Sequence, residues 1–255
     1  MTATVAADLS VPLATRSGRF YVGIAAACIA VAVVGFAPSY WIPLARGTLD
    51  VSPIIHIHAF FFYGWTVLFL AQTWLAATGR IGRHREMGVA GVALATGMCF
   101  VGMATAIGSI RRMDAAGLGD AARAFSIVSV SGIALFAVLI LLALLNVRKP
   151  ETHKRLMLVA TVSLLQAAIG RIFLLFLRPP NAVGPPPVFV TVMPGLVTNL
   201  LIVAAMVHDR RTRGRVHPVY WIAGAALLAV QVLRVPLSSS GAWMRTAEWM
   251  VTLSP

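Results

Sequence analysis

An all-α membrane bundle of seven spanning helices is the fold class this sequence predicts, and three observations predict it. Hydrophobic residues fill 59% of the 255 positions and charged residues only 11%, less than half the ~25% that a soluble domain carries. Seven long runs nearly free of charge recur along the chain, each close to or above the ~20 residues that cross a bilayer core as helix. The 21 Lys and Arg gather in short clusters between those runs, as expected of loops that orient a polytopic protein. A soluble enzyme domain, a disordered chain and a disulfide scaffold are excluded. The net charge of +13 belongs to orientation in a lipid bilayer, and no nucleic acid partner is expected without a soluble basic face.

The runs cover residues 20–45, 51–79, 87–110, 124–147, 156–177, 187–208 and 216–233, the fifth broken only by Arg171. The first is too long for a cleaved signal peptide. Residues 1–19 read as an N-terminal tail, 20–238 as the transmembrane domain and 239–255 as a separate C-terminal segment. Thirteen of the 21 basic residues fall on the side of the N-terminus, around Arg83, Lys154 and Arg213, and six on the other, among them Arg46, Arg112 and Arg178. The positive-inside bias therefore predicts a cytoplasmic N-terminus and, with seven crossings, an external C-terminus. Trp243, Met244, Trp249 and Met250 predict a short helix lying in the outer interface. Pro179, Pro180, Pro185, Pro186 and Pro187 predict an extended link between the fifth and sixth spans. Pro194-Gly195 predicts a kink in the sixth. Cys28 and Cys99 sit in different runs at different depths, too far apart for a bridge.

The three connections on the N-terminal side share a pattern. His84, His153 and His217 each follow a basic turn where the returning helix begins, 69 and 64 residues apart. Three helical hairpins after an extra first helix would produce that spacing, with Thr152 the expected cap of the fifth span. Imidazole is a common ligand of metals and of haem iron. Convergence of two of these three as ligands at the ends of packed helices is the sharper expectation. The plainer alternative is that these turns only orient the chain and touch lipid headgroups.

Inside the spans, acidic residues are the informative absence: all eight, Asp209 included, fall outside the apolar runs. Ion-coupled transporters usually place a carboxylate at mid-membrane, and bundle di-iron sites need several Glu. Neither is available. His56 and His58 lie two apart on the second span, about 200° around a helix, so they cannot face one site. Helical spacing from His58 passes through Phe62, Trp65, Phe69 and Gln72. The third span carries small residues at Gly88, Gly91, Ala95 and Gly102, interrupted by Met98. That face suits close approach of another helix, or the flat ring of a haem or quinone. Arg171 and Arg234 sit near the outer level of His58, where they would either snorkel or receive an anion or a quinone oxygen. Asn199 lies near the bilayer centre and needs a partner.

The His84-Arg85-x-x-Gly88 and His153-Lys154-Arg155-Leu156-Met157 turns resemble those of uncharacterised bacterial multi-pass inner-membrane proteins, over roughly residues 50 to 220. The chain also resembles membrane haem proteins of the cytochrome b type and cytochrome-oxidase assembly factors. That resemblance implies a bacterial inner-membrane location, haem, metal or quinone binding, and work in electron transfer or respiratory-complex assembly. It also implies paired histidines at one level on facing helices. His56 and His58 depart from it by sharing a helix, so the pair it implies for a metal ion or haem b is His84 with His153 at the other end, with His217 or His208 in reserve. The alternative functions are a carrier or channel for a neutral or anionic small molecule, using His58, Arg171, Arg234 and Asn199, or a structural subunit of a membrane complex.

Overall fold

The computed structural model describes residues 16–253, and every regular element in them is helical. Most of the expected N-terminal tail, residues 1–15, lies outside the described residues. Seven helical spans are long and apolar enough to cross a membrane. The first is α1 (Arg16–Phe36), a π-helical turn (Ala37–Trp41) and α2 (Ile42–Ala45). Pro38 and Pro43, which lack the backbone N–H, account for the interruption. Then come α3 (Pro53–Ala77), α4 (Ile81–Ala115) and α5 (Gly119–Leu145). The fifth span is α6 (Pro150–Leu164) and α7 (Gln166–Leu177), broken at Leu165. A 3₁₀ turn (Val188–Thr191) leads into α8 (Val192–Arg213), followed by α9 (Pro218–Leu237) and α10 (Gly241–Thr252).

Proline opens α3, α6 and α9, at the one helical position where its missing donor costs nothing. Gly214, with φ 73°, closes α8 in a left-handed conformation that a side chain would resist. Helices adjacent in sequence pack side by side from α3 to α6, and α1 lies against α3 and α7. The α6 helix is the central one: Leu158, Val159, Ala160, Thr161 and Val162 are wholly buried, between α5, α8 and α9.

Three local expectations are corrected. The α4 helix runs past 87–110 at both ends, because Arg83, Arg85, Arg111 and Arg112 remain helical. At 1.5 Å per residue it is ~52 Å long, well beyond a ~30 Å hydrocarbon core. His84 therefore stands inside a helix rather than in a turn. Thr152 does not cap α6; Lys149 holds that position and Pro150 starts the helix. Pro194 sits in the first turn of α8, where it displaces no helical hydrogen bond, so the expected mid-span kink has no cause.

The C-terminal α10 is amphipathic. Ser240 Oγ caps it by accepting from Trp243 N–H at 3.2 Å. Ala247 and Met250 pack on Ile110 and Ala122, and Trp243 Nε1 donates to Arg123 O at 2.8 Å. Trp249 and Leu253 stay exposed. The α10 helix thus covers the ends of α4 and α5 opposite the basic turns.

The small-residue face of α4 is used for helix packing. A Cβ on Gly88 would meet Gln72 Nε2 at 3.7 Å, and one on Gly91 would meet Leu68 Cδ2 at 3.3 Å. Both neighbours belong to α3, so that stretch has no place for a flat ring. Ala95 instead borders an apolar groove of about 180 Å³ between α4 and α5, flanked by Phe136, Ile140 and Leu144. Among the glycines of α4, the tightest approach is at Gly97, on another face, where a Cβ would run into the Phe61 ring of α3. Gly97→Ala should destabilise the bundle by ~1–3 kcal/mol through overpacking, and Gly88→Ala should be near neutral. Reversible unfolding in mixed micelles measures both; equal effects would contradict this packing.

Candidate functional site

His84 and His153 meet at the basic end of the bundle. Each is the fourth residue of its helix, α4 and α6, so the repeat seen in the sequence becomes an equivalence of position. Their ring centroids are 6.4 Å apart and the rings are perpendicular. His84 Nδ1 lies 3.2 Å from Gln72 O on α3, and His153 Nδ1 lies 2.9 Å from Ala143 O on α5. A carbonyl only accepts, so each Nδ1 carries the proton. That leaves Nε2 as the nitrogen each ring can offer to a ligand, and neither Nε2 has a hydrogen-bond partner among the described residues. Tying the distal N–H of an imidazole to a backbone carbonyl is how proteins fix tautomer and ring orientation at metal ligands. Gln72 reinforces the arrangement, its Nε2 donating to His84 O at 3.0 Å, while its Oε1 is buried without a partner. The stripe from His58 thus runs through buried Trp65 and Phe69 to the histidine pair.

His217 takes another role. It is the N-cap of α9 rather than a residue inside it, and its Nδ1 accepts from Val219 N–H at 3.3 Å. Burial, and then the nearby Arg155 guanidinium, hold its pKa below the ordinary histidine value, in keeping with a ring that accepts there. Its neighbours are Asp209, which takes its backbone N–H at 3.2 Å, and Arg155, not the other two histidines. His208 stacks on Phe20 at 3.8 Å.

Beside the pair stands a charged cluster that the sequence reading missed. Arg155, assigned to a loop, and Asp209, placed outside the spans, are each 1% exposed. Arg155 Nε donates to Asp209 Oδ2 at 2.9 Å and Nη2 to Oδ1 at 2.5 Å. Nη1 donates to Glu151 Oε2 at 2.6 Å and to Glu151 O at 2.7 Å. Arg213 joins Glu151 from α8. The guanidinium carbon lies 5.6 Å from the Tyr220 ring centroid, and Tyr220 shares a 3.1 Å hydroxyl contact with Tyr21. A carboxylate thus lies within the helical bundle, at its basic end. The sequence signal was Asp209 itself, the lone acid on α8 beside Arg210 and Arg211.

The other candidates lie at the opposite end and do not converge on the pair. His56 is exposed and bonds Tyr40 OH at 2.9 Å. His58 stacks on Phe62 at 4.1 Å, its Nδ1 buried and unpartnered. Arg171 is exposed and lies 5.6 Å over Phe36. Arg234 is 3% exposed and donates to Thr191 Oγ1 at 2.8 Å. Asn199 finds its partner in Gln231, donating to Oε1 at 2.8 Å. No group of three or more His, Cys, Asp or Glu suited to a metal ion occurs among the described residues. No family model, curated protein or solved structure matches the chain.

Removing one partner of a buried ion pair strands the other charge, at a cost of ~3–5 kcal/mol. Asp209→Asn and Arg155→Met should each lower stability by about that much, and the double variant Arg155→Met/Asp209→Leu should recover most of it. Denaturant unfolding in micelles checks this; additive losses in the double variant would contradict the pairing.

Proposed function

We propose that this integral membrane protein binds a single metal centre between His84 and His153 and works in electron transfer or in assembly of a respiratory complex. The observation that carries the reading is the pairing of two imidazoles 6.4 Å apart, each anchored by its Nδ1–H to a neighbouring helix. A ring nitrogen binds a metal at ~2.0 Å and lies ~1.1 Å from its own ring centroid, so two imidazoles on opposite sides of one ion have centroids ~6 Å apart.

The chemistry of the donors narrows the ligand. With only two protein ligands, four-coordinate zinc is disfavoured. A haem iron, whose macrocycle brings four equatorial nitrogens, fits two axial histidines, and two-coordinate copper(I) fits them as a bare ion. A quinone fits poorly: its carbonyl oxygens need donors, whereas both N–H groups are spent on backbone carbonyls and the free nitrogens accept. The exposed Arg83 and Arg85 near His84 are cations that would pair with the propionates of a bound haem. When bound, the metal would supply the one-electron step; the chain's part is to hold both rings in one tautomer.

Purified chain in detergent should be titrated with haem b and, separately, with copper(I). The expected result is one equivalent of haem with a low-spin bis-imidazole spectrum, or one copper(I). His84→Ala and His153→Ala should each weaken binding by at least ~100-fold, and His217→Ala should leave it unchanged. Absence of binding to either probe, or binding indifferent to both substitutions, would overturn the proposal.

A further inference from the structure

At the end opposite the histidine pair, Arg234 is a buried cation with no counter-charge. Its side chain is 3% exposed, which removes the snorkelling explanation. Its Nη2 donates to Thr191 Oγ1 at 2.8 Å, with a longer 3.5 Å approach to Thr191 O, and its Nε is buried without a partner. None of the ion pairs among the described residues includes it. The elements around it offer no free carboxylate: α7, the 3₁₀ turn and α9 have none, Asp120 of α5 is exposed and paired with Arg123, and the single acid of α8, Asp209, is committed to Arg155 near the far end of that helix.

Neutral polar groups are gathered where the charge sits. Gln166 Nε2 on α7 donates to Thr191 O at 2.8 Å. Gln231, three residues before Arg234 and so on the same face of α9, is 1% exposed and exchanges hydrogen bonds with Asn199 at 2.8 and 3.4 Å. Gly195 provides the space for Gln231, because a Cβ there would lie 2.8 Å from its amide carbon. Three helices therefore converge on a guanidinium that dipoles solvate and no anion neutralises. A charge held inside an apolar bundle without a partner is a costly feature, and such residues mark ligand sites.

We infer that Arg234 is the recognition residue of a binding site for an oxyanion, of phosphate or carboxylate type, between α7, α8 and α9. A planar guanidinium with unspent donors matches such a group by paired hydrogen bonds. The same oxygens are carried by a free anion and by the headgroup of an anionic phospholipid. The site is separate from the histidine pair, so the two readings stand or fall independently.

The test uses the full chain in two arms. In a neutral detergent, thermal unfolding is followed with sodium phosphate against sodium chloride at equal ionic strength. In nanodiscs, phosphatidylcholine alone is compared with phosphatidylcholine containing phosphatidylglycerol. The wild type should be stabilised by phosphate if the anion is free, or only by phosphatidylglycerol if it is a headgroup, and Arg234→Met should lose that response. Should that variant fail to fold, Arg234→Lys should retain the response with affinity roughly 10-fold weaker, since lysine keeps the charge without the fork. No stabilisation of the wild type in either arm, an undiminished response in Arg234→Met, or an unweakened response in Arg234→Lys would overturn the assignment.

Discussion

The ion pair between Arg155 and Asp209 is the constraint on which the basic end of this bundle depends. Both partners are withdrawn from solvent, so neither charge is tolerable without the other. Forming the pair brings the start of α6 against the last turns of α8, and Asp209 also takes the backbone N–H that opens the cap of α9. Three helices are thereby tied at one level. His153 stands two residues before Arg155, so the interaction that sets the entry of α6 also sets the height of the ring that meets His84.

The two histidines owe their geometry to a device used twice. In each hairpin a histidine in the first turn of the returning helix reaches back to a carbonyl near the end of the preceding helix, Gln72 O for one and Ala143 O for the other. The third copy differs by a full turn of register. His217 stands just ahead of Pro218 rather than inside α9, so its ring turns to its own helix's N–H at Val219. Four positions of register separate a ring whose Nε2 has no partner from a ring spent on capping.

The fold was legible in the sequence because bilayer thickness, charge-free length and basic clusters are collective properties that no single residue can disguise. All seven spans are recovered, and the pairing of His84 with His153 was visible as a repeat. Helix ends were less so. Charge marks where lipid ends, not where hydrogen bonding ends, and α4 continues through Arg83 and Arg85 at one end and Arg111 and Arg112 at the other. Arg155 shows the deeper limit. Beside Lys154 it reads as a solvated loop residue, and only the tertiary partner Asp209, 54 residues away, makes its burial possible. Gln72 is similar: its stripe was evident, but its hold on His84 depends on how α3 and α4 meet.

The histidine pair rests on one tautomer in both rings, with Nδ1 bonded to a carbonyl and Nε2 left for a ligand. Nitrogen-15 NMR of the metal-free protein, labelled in histidine and assigned by single substitutions, reads this directly. In the neutral ring, His84 and His153 should both carry the proton on Nδ1 and leave Nε2 bare. A proton on Nε2 of either neutral ring in the metal-free protein would contradict it.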